Sequence, residues 1–190
     1  MEIRTIAVIG AAKSGRKIAY AALVAGYRTI LEDVLPERLA AAHAEILDRL
    51  AERETTSKPS DLGDERAASR LLTAGSVATV CREADLVLES LPDEVEMKID
   101  VFCILEKFAR PGAILATNAT AISVTEIAAV TTRADCCVGV RFVDAAENRN
   151  VLEIVRGKHT SEETVEACRD VGRRMGRDVV IVSDKQAAES

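Results

Sequence analysis

Short apolar segments alternate with longer amphipathic ones along most of this chain. The β-branched run at residues 3–9 stops at Gly10, helical periodicity follows over residues 17–25 until Gly26, and residues 28–31 form the next apolar run. A glycine directly after a periodic segment commonly ends a helix, so this order predicts strand, glycine turn, helix and strand. Such a βαβ unit occupies about 30 residues.

The pattern after this unit predicts a helical insertion and then further strands and helices. Residues 35–51 are typical of a long helix with Pro36 in its first turn, residues 52–63 of a polar loop, and residues 64–72 of a second helix, which together form a helical hairpin. Further strands are predicted at residues 86–91, 113–117, 137–143, 151–155 and 179–182, and helices at 95–108, 124–130 and 161–175. The alternation indicates an α/β class with a doubly wound, mostly parallel sheet.

Composition excludes several classes of partner. The net charge of -6 argues against a nucleic acid or an anionic membrane as the main partner, because both require a basic surface. Five cysteines, an odd number without a CxxC pair, favour buried thiols in a reducing compartment over a disulfide framework or a zinc site. No segment is typical of a signal peptide or approaches the ~20 apolar residues of a membrane span, so we expect a cytoplasmic protein.

The turn after the first strand carries the first candidate chemistry. Its sequence GAAKSG places Gly10 and Gly15 at the outer positions of the dinucleotide-binding fingerprint, with Ala12 at the second glycine position. Backbone amides of Ala12, Lys13 and Ser14 at a helix N-terminus can hold a pyrophosphate. Taken alone, such a turn also serves only to join a strand to a helix, and Ala12 and Lys13 could abolish binding and leave a scaffold.

An acid at the end of the second strand strengthens the cofactor interpretation. Asp33 follows Gly10 by about 20 residues, the spacing of the carboxylate that accepts the ribose hydroxyls of a dinucleotide. A carboxylate there repels a 2′-phosphate, so NAD is favoured over NADP. The alternative is that Asp33 only caps the helix that follows.

Several blocks in order resemble the NAD-binding, N-terminal domain of the 3-hydroxyacyl-CoA dehydrogenase family. They are IAVIGAAKSGRKIAYAALVAGYRTILEDV, ADLVLESLPDEVEMKIDVF, ILATNATAISVTEIAA and GVRFVDAAENRNVLEIVRGKHTSEETVE, and the resemblance extends over residues 3–183. It implies a Rossmann-type fold with the helical hairpin inserted after the second strand. We expect residues 1–184 to form this domain and residues 185–190 to be a short polar tail. The helical C-terminal domain of the family is expected to be absent from this chain.

The resemblance also implies which residues line the site. Gly10, Gly15 and Asp33 match cofactor positions, and further residues fall where the family lines the nicotinamide and substrate region. These are Glu89, Lys98 and Asn118, with Asp93 in place of the usual glutamate and Thr120 in place of a substrate-contacting serine.

The implied catalytic pair is incomplete. Glu153 matches the acid that orients the catalytic histidine of the family, but Arg141 occupies the histidine position and Asp144-Ala145 replaces the following Asn-Pro. Arginine stays protonated at physiological pH and cannot act as the base, so we expect an ion pair between Arg141 and Glu153 without proton transfer. His43 and His159, the two histidines, are expected to lie on the surface.

Two functions follow from the resemblance. One is an oxidoreductase that transfers hydride between NAD and an acyl-CoA-type substrate in fatty acid metabolism, with catalysis impaired by Arg141. The other is a non-catalytic dinucleotide-binding sensor or partner subunit. A homodimer through some other face is compatible with either function.

Overall fold

The computed structural model describes residues 2–56, 67–144 and 150–184. Within these ranges the strands are β1 Thr5–Ile9, β2 Arg28–Glu32, β3 Leu71–Ala74, β4 Leu86–Glu89, β5 Ile114–Thr117, β6 Cys137–Asp144, β7 Asn150–Arg156 and β8 Asp178–Ser183. They form one sheet in the order β3-β2-β1-β4-β5-β6-β7-β8. All neighbours are parallel except β6 and β7, which are antiparallel. The predicted doubly wound, mostly parallel sheet is confirmed.

Helices cover both faces of the sheet. They are α1 Lys13–Val24, α2 Pro36–Thr56, α3 Val77–Val80, α4 Val95–Phe108, α5 Val124–Ala128 and α6 Glu162–Arg174. We call the side that buries residues of α1, α2 and α6 the α1 face, and the side that buries residues of α3, α4 and α5 the α4 face. The apolar residues between these helices and the strands form two cores, one on each side of the sheet.

The predicted helical hairpin is correct in its first arm and wrong at the end of its second. Helix α2 extends beyond the predicted end, and residues 57–66, which include the predicted loop and the start of the second helix, lie outside the described residues. Residues 67 and 68 are helical, but Leu71 and Leu72 belong to strand β3. Backbone pairing with β2, for example Leu71 with Thr29, decides the conformation of this short segment against its helical propensity.

The strands end in one row that faces the candidate site. Glu32, Ile9, Glu89 and Thr117 are successive register partners across β2, β1, β4 and β5. In open α/β sheets, ligands bind beyond the carboxyl ends of the strands where the strand order reverses, which here is between β1 and β4. Three of the four residues in this row are therefore polar groups buried directly below the expected ligand position.

Other sequence predictions concern groups outside the site. All five cysteines are free, and Cys81, Cys137 and Cys168 are buried. The described ranges contain no cluster of three or more His, Cys, Asp or Glu side chains arranged to hold a metal ion. In the same ranges, no helix has both the length and the apolar character that a bilayer crossing requires.

Candidate functional site

The two outer glycines of the turn are required for different physical reasons. Gly10 has a φ of 97°, and a Cβ there would stand 2.9 Å from the carbonyl oxygen of Ser90. Gly15 lies in α1 with ordinary dihedral angles, but a Cβ there would stand 1.8 Å from the carbonyl oxygen of Gly10. Glycine at position 10 allows the turn, and glycine at position 15 allows α1 to approach β1.

Alanine at the middle position causes no backbone strain. Ala12 is the N-cap of α1 with φ -73° and ψ -178°, a conformation open to any residue. Ala12, Lys13 and Ser14 are exposed, and the N-cap residue Ala12 makes no side-chain capping hydrogen bond. The positive end of a helix of 12 residues therefore remains available to an anion.

Asp33 connects this turn to the end of β2. Its Oδ2 accepts a hydrogen bond from the amide of Ala11 at 2.9 Å, and its Oδ1 accepts one from the amide of Leu35 at 2.9 Å. The Arg38 guanidinium lies 3.3 Å from Oδ2, on the outer side of this otherwise buried carboxylate. One oxygen thus orders the chain just before α2, without capping an amide of the helix itself, while the other is held against the glycine turn.

Glu89 and Lys98 form a fully buried ion pair under the centre of the sheet edge. Both side chains are 0% exposed, and Lys98 Nζ donates to both carboxylate oxygens of Glu89 at 2.8 and 2.9 Å. Thr117 Oγ1 donates to Oε2 at 2.7 Å, and the Leu91 amide donates to Oε1. These partners occupy both oxygens of the Glu89 carboxylate and tie it to Leu91 and Thr117.

Asp93 connects this ion pair to the loop after β5. Its Oδ1 lies 3.5 Å from Lys98 Nζ, while its Oδ2 accepts hydrogen bonds from the amide and hydroxyl of Thr120 and from the amide of Ala121. Partial burial alone would raise the pKa of Asp93, but these hydrogen bonds and then Lys98 hold it below its usual value. The loop with Thr120 is thereby fixed to the end of β4.

Arg141 lies beside the same loop. Its Nε donates to the carbonyl oxygen of Ala119, and its Nη1 lies 3.9 Å from Glu153 Oε2, its register partner on β7. The expected ion pair between Arg141 and Glu153 is confirmed, at a separation too long for a hydrogen bond. Asn118 is half-buried, and its side-chain amide makes no hydrogen bond to any residue that the structure describes.

Neither histidine lies near this pair in the fold. His43 is a half-buried residue of α2, the helix that connects β2 to β3, and these two strands lie on the other side of β1 from β6. His159 is exposed and follows β7. Because β7 is antiparallel to β6, His159 lies near the amino-terminal ends of the parallel strands, away from the candidate site.

Sequence reasoning missed Thr117, which helps to hold the site together, and Asp184, which joins the end of β8 to the start of α5. Thr117 was seen only as the end of a strand, although its hydroxyl completes the shell around Glu89. Asp184 follows β8, and its Oδ2 accepts hydrogen bonds from the Ser123 hydroxyl and from the amide and hydroxyl of Thr125, at the start of α5. Burial opposes them, but these hydrogen bonds lower the pKa of Asp184. A Ser-x-x-Glu capping pattern at residues 123–126 was the available signal for this junction.

The described residues fit a dinucleotide in an extended conformation. Asp33 directly follows β2 and Arg141 lies on β6, four strand positions apart, which corresponds to about 19 Å at ~4.8 Å per strand. Between them lie the uncapped first turn of α1 and Ser90, whose buried Oγ has no hydrogen-bond partner in the described chain. Open amides, an unused hydroxyl and a carboxylate at the far end match the chemistry of phosphates and ribose hydroxyls.

A family model matches almost the whole chain. The profile of the 3-hydroxyacyl-CoA dehydrogenase NAD-binding domain matches residues 5–185. The chain is 30% identical over 182 residues to 3-hydroxybutyryl-CoA dehydrogenase of Bradyrhizobium diazoefficiens, covering 96% of this chain and 62% of the relative. It is 31% identical to the probable 3-hydroxybutyryl-CoA dehydrogenase of Bacillus subtilis, covering 97% of this chain and 64% of the relative. The chain thus spans somewhat less than two thirds of these relatives.

Solved structures agree with this result. The crystal structure of 3-hydroxybutyryl-CoA dehydrogenase from Escherichia coli K12 superposes with a TM-score of 0.89 at 31% identity, covering 97% of this chain and 39% of that one. NAD is the cofactor of the matched domain. The chain belongs to the NAD-binding domain family of the 3-hydroxyacyl-CoA dehydrogenases.

Proposed function

We propose that residues 1–184 form the cofactor-binding domain of an oxidoreductase that moves hydride between NAD and C3 of a 3-hydroxyacyl thioester, and that Arg141 slows its proton transfer. The 3-hydroxybutyryl-CoA dehydrogenases among the relatives supply the substrate class. The observation that carries the cofactor part is Asp33, whose carboxylate is held against the glycine turn at 2.9 Å from the Ala11 amide.

The cofactor part of the site is built from backbone and one carboxylate. The amides of Ala12, Lys13 and Ser14 hold the pyrophosphate, and Asp33 accepts from the ribose hydroxyls. Bound NAD supplies the acceptor for hydride. Asp33 disfavours a 2′-phosphate, because a second anion would lie beside its carboxylate.

The substrate part of the site is the loop after β5, which buried and half-buried side chains hold in place. The buried pair of Glu89 and Lys98 holds Asp93, and Asp93 holds the amide and hydroxyl of Thr120. We infer that Glu89, Lys98 and Asp93 are positioning residues. Thr120 and Asn118 are the residues that contact the substrate oxygen and the nicotinamide.

Arg141 limits the rate of the proton-transfer step. A permanently charged guanidinium can polarise an oxygen but cannot accept the hydroxyl proton. Loss of a general base typically slows a reaction by about 10²–10⁴-fold. Both directions are affected, because the residue that takes the hydroxyl proton in oxidation also returns it in reduction.

The test is a pair of measurements on the wild-type chain and the Arg141→His variant. Calorimetric titration of NAD, with NADP as the control ligand, tests the cofactor site, and we expect binding of NAD alone. Oxidation of 3-hydroxybutyryl-CoA, followed by NADH absorbance, tests the reaction. We expect Arg141→His to exceed the wild-type rate by about 100-fold or more, since it restores a His–Glu pair.

Arg156→His is the matched control, because Arg156 lies on β7 and pairs with Glu162 at an exposed position. It should leave the rate unchanged. A wild-type chain that binds NADP as tightly as NAD would contradict the role of Asp33.

The second candidate function is a non-catalytic dinucleotide-binding module. Arg141 favours it, since its guanidinium is already engaged by the Ala119 carbonyl and lies beside Glu153. This function predicts NAD binding without turnover in both the wild type and Arg141→His. The first function predicts turnover in the variant.

A further inference from the structure

Glu32 is a buried acid that the site described above does not use. It is the last residue of β2, it is 1% exposed, and its Oε1 has no hydrogen-bond partner among the described residues. Most buried polar atoms in folded proteins are hydrogen-bonded, so an unpaired carboxyl oxygen at the edge of a ligand site requires an explanation.

The surroundings of Glu32 favour its neutral form. Its register partners on β1 and β3 are Ile9 and Ala74, and α3 contributes apolar residues and the buried thiol of Cys81. Burial, and then the charge of Asp33, raise the pKa of Glu32 to about 7. The pKa of the Cys81 thiol is also raised by burial, so that thiol remains neutral. A neutral carboxyl presents one O–H donor and one carbonyl acceptor.

Glu32 lies at the end of β2, on the part of the sheet where the proposed site would hold the adenosine half of the cofactor. The base is joined directly to the ribose that Asp33 would hold, and Glu32 is the residue before Asp33. Val34 and Leu35 follow, 73% and 48% exposed, and give this end of the sheet an apolar surface. A flat aromatic ring with polar edges fits an apolar surface beside a paired donor and acceptor.

We propose that Glu32 recognises the adenine of NAD through its neutral carboxyl group, with the O–H donating to a ring nitrogen and the carbonyl accepting from the exocyclic amine. Carboxamide side chains bind adenine through the same pairing of one donor and one acceptor. This inference rests on the proposed cofactor site at Asp33. Where Glu32 is ionised, binding takes up one proton from solvent, so affinity falls as pH rises.

The test measures NAD binding by calorimetry at pH 6 and pH 8 in the wild type, Glu32→Gln and Glu32→Leu. In the wild type we expect about tenfold weaker binding at pH 8, with proton uptake seen as a dependence of the binding heat on buffer ionisation enthalpy. Glu32→Gln keeps a donor and an acceptor without titrating, so it should bind at both pH values as the wild type binds at pH 6. Glu32→Leu should bind weakly at both.

Glu37→Gln is the control, because it removes one exposed carboxylate in the first turn of α2, close in sequence to Asp33. It should keep the wild-type pH dependence. NAD binding that is equally tight in Glu32→Leu, without proton uptake in the wild type, would overturn the role of Glu32 and leave the proposed function intact. Failure of the wild type to bind NAD at either pH would overturn both.

Discussion

Two buried glutamates in one row of the sheet differ in their hydrogen bonding. Glu32 and Glu89 are both register partners of Ile9, one on β2 and the other on β4, and both are essentially inaccessible to solvent. Glu89 accepts hydrogen bonds from Lys98, Thr117 and the Leu91 amide. Glu32 has an oxygen without any partner in the described chain.

The difference shows that burial alone does not determine what a carboxylate does. A carboxylate that accepts hydrogen bonds from a cation and two other donors is engaged in holding the surrounding loops. A carboxylate with an unpaired oxygen retains the capacity to change protonation or to bind a ligand. The Glu89 carboxylate is thus engaged in holding the structure, whereas Glu32 is equally buried but keeps an unpaired oxygen in the described chain.

The largest expected effect comes from removing the cation beside Glu89. Lys98→Met leaves a charged carboxylate buried without its partner, and we expect a loss of about 3–5 kcal/mol in the free energy of unfolding. Urea unfolding followed by circular dichroism measures it. Lys107→Met, an exposed lysine of the same helix, is the control. The double variant with Glu89→Leu should recover most of the loss, and a double variant as unstable as Lys98→Met would contradict this account.

Removal of the charge at Glu32 should have the opposite sign. Its raised pKa means that the folded state holds the proton more tightly, so the destabilisation is absent below pH 4.5, grows towards pH 7 and is constant above. Glu32→Gln should therefore stabilise the protein by about 3 kcal/mol at pH 8 and by almost nothing at pH 4.5. Unfolding curves at the two pH values decide this, and an equal effect at both would show that charge is not the cause.

A smaller effect is expected from the hydroxyl that completes the shell of Glu89. Thr117→Val keeps the shape of the side chain but removes the donor to Oε2 and the acceptor for the Ala119 amide. We expect a loss of about 1–2 kcal/mol in thermal or urea unfolding. Unchanged stability would mean that Lys98 alone satisfies Glu89.

The smallest effect is expected where a carboxylate is paired but exposed. Glu83 lies 2.6 Å from Arg28, and its side chain is 50% exposed. Glu83→Gln should change the free energy of unfolding by no more than about 0.5 kcal/mol, and less in 1 M salt. A change as large as that of Thr117→Val would show that solvent does not screen this pair.

Much of the fold could be predicted because several strands are continuous apolar runs. Helix α4 was predicted with its observed bounds, and β1, β2 and β4 within a few residues. Strand β3 could not be predicted, because LLTA is four residues long, follows a helical segment and becomes a strand only through pairing with β2. Periodicity detects local order, and this pairing is not local.

The residues of the site also divide into those that the sequence could predict and those that it could not. The pairing of Arg141 with Glu153 could be predicted, since both positions lie in a block with a known relation between them. Glu32 could not be singled out, because a glutamate beside Asp33 looks like a second polar residue after a strand. Its burial depends on helix α3, a short segment that the sequence did not indicate.

The glycine turn finally separates two kinds of constraint that a saturation mutagenesis library can distinguish. Any side chain at position 15 collides with the carbonyl of Gly10, so every substitution there should be depleted under selection for folding alone. Ala12 is exposed and has dihedral angles open to most residues, so variants there should survive that selection and be lost only when cofactor binding is also required. Substitutions at position 15 therefore test folding, and substitutions at position 12 test cofactor binding.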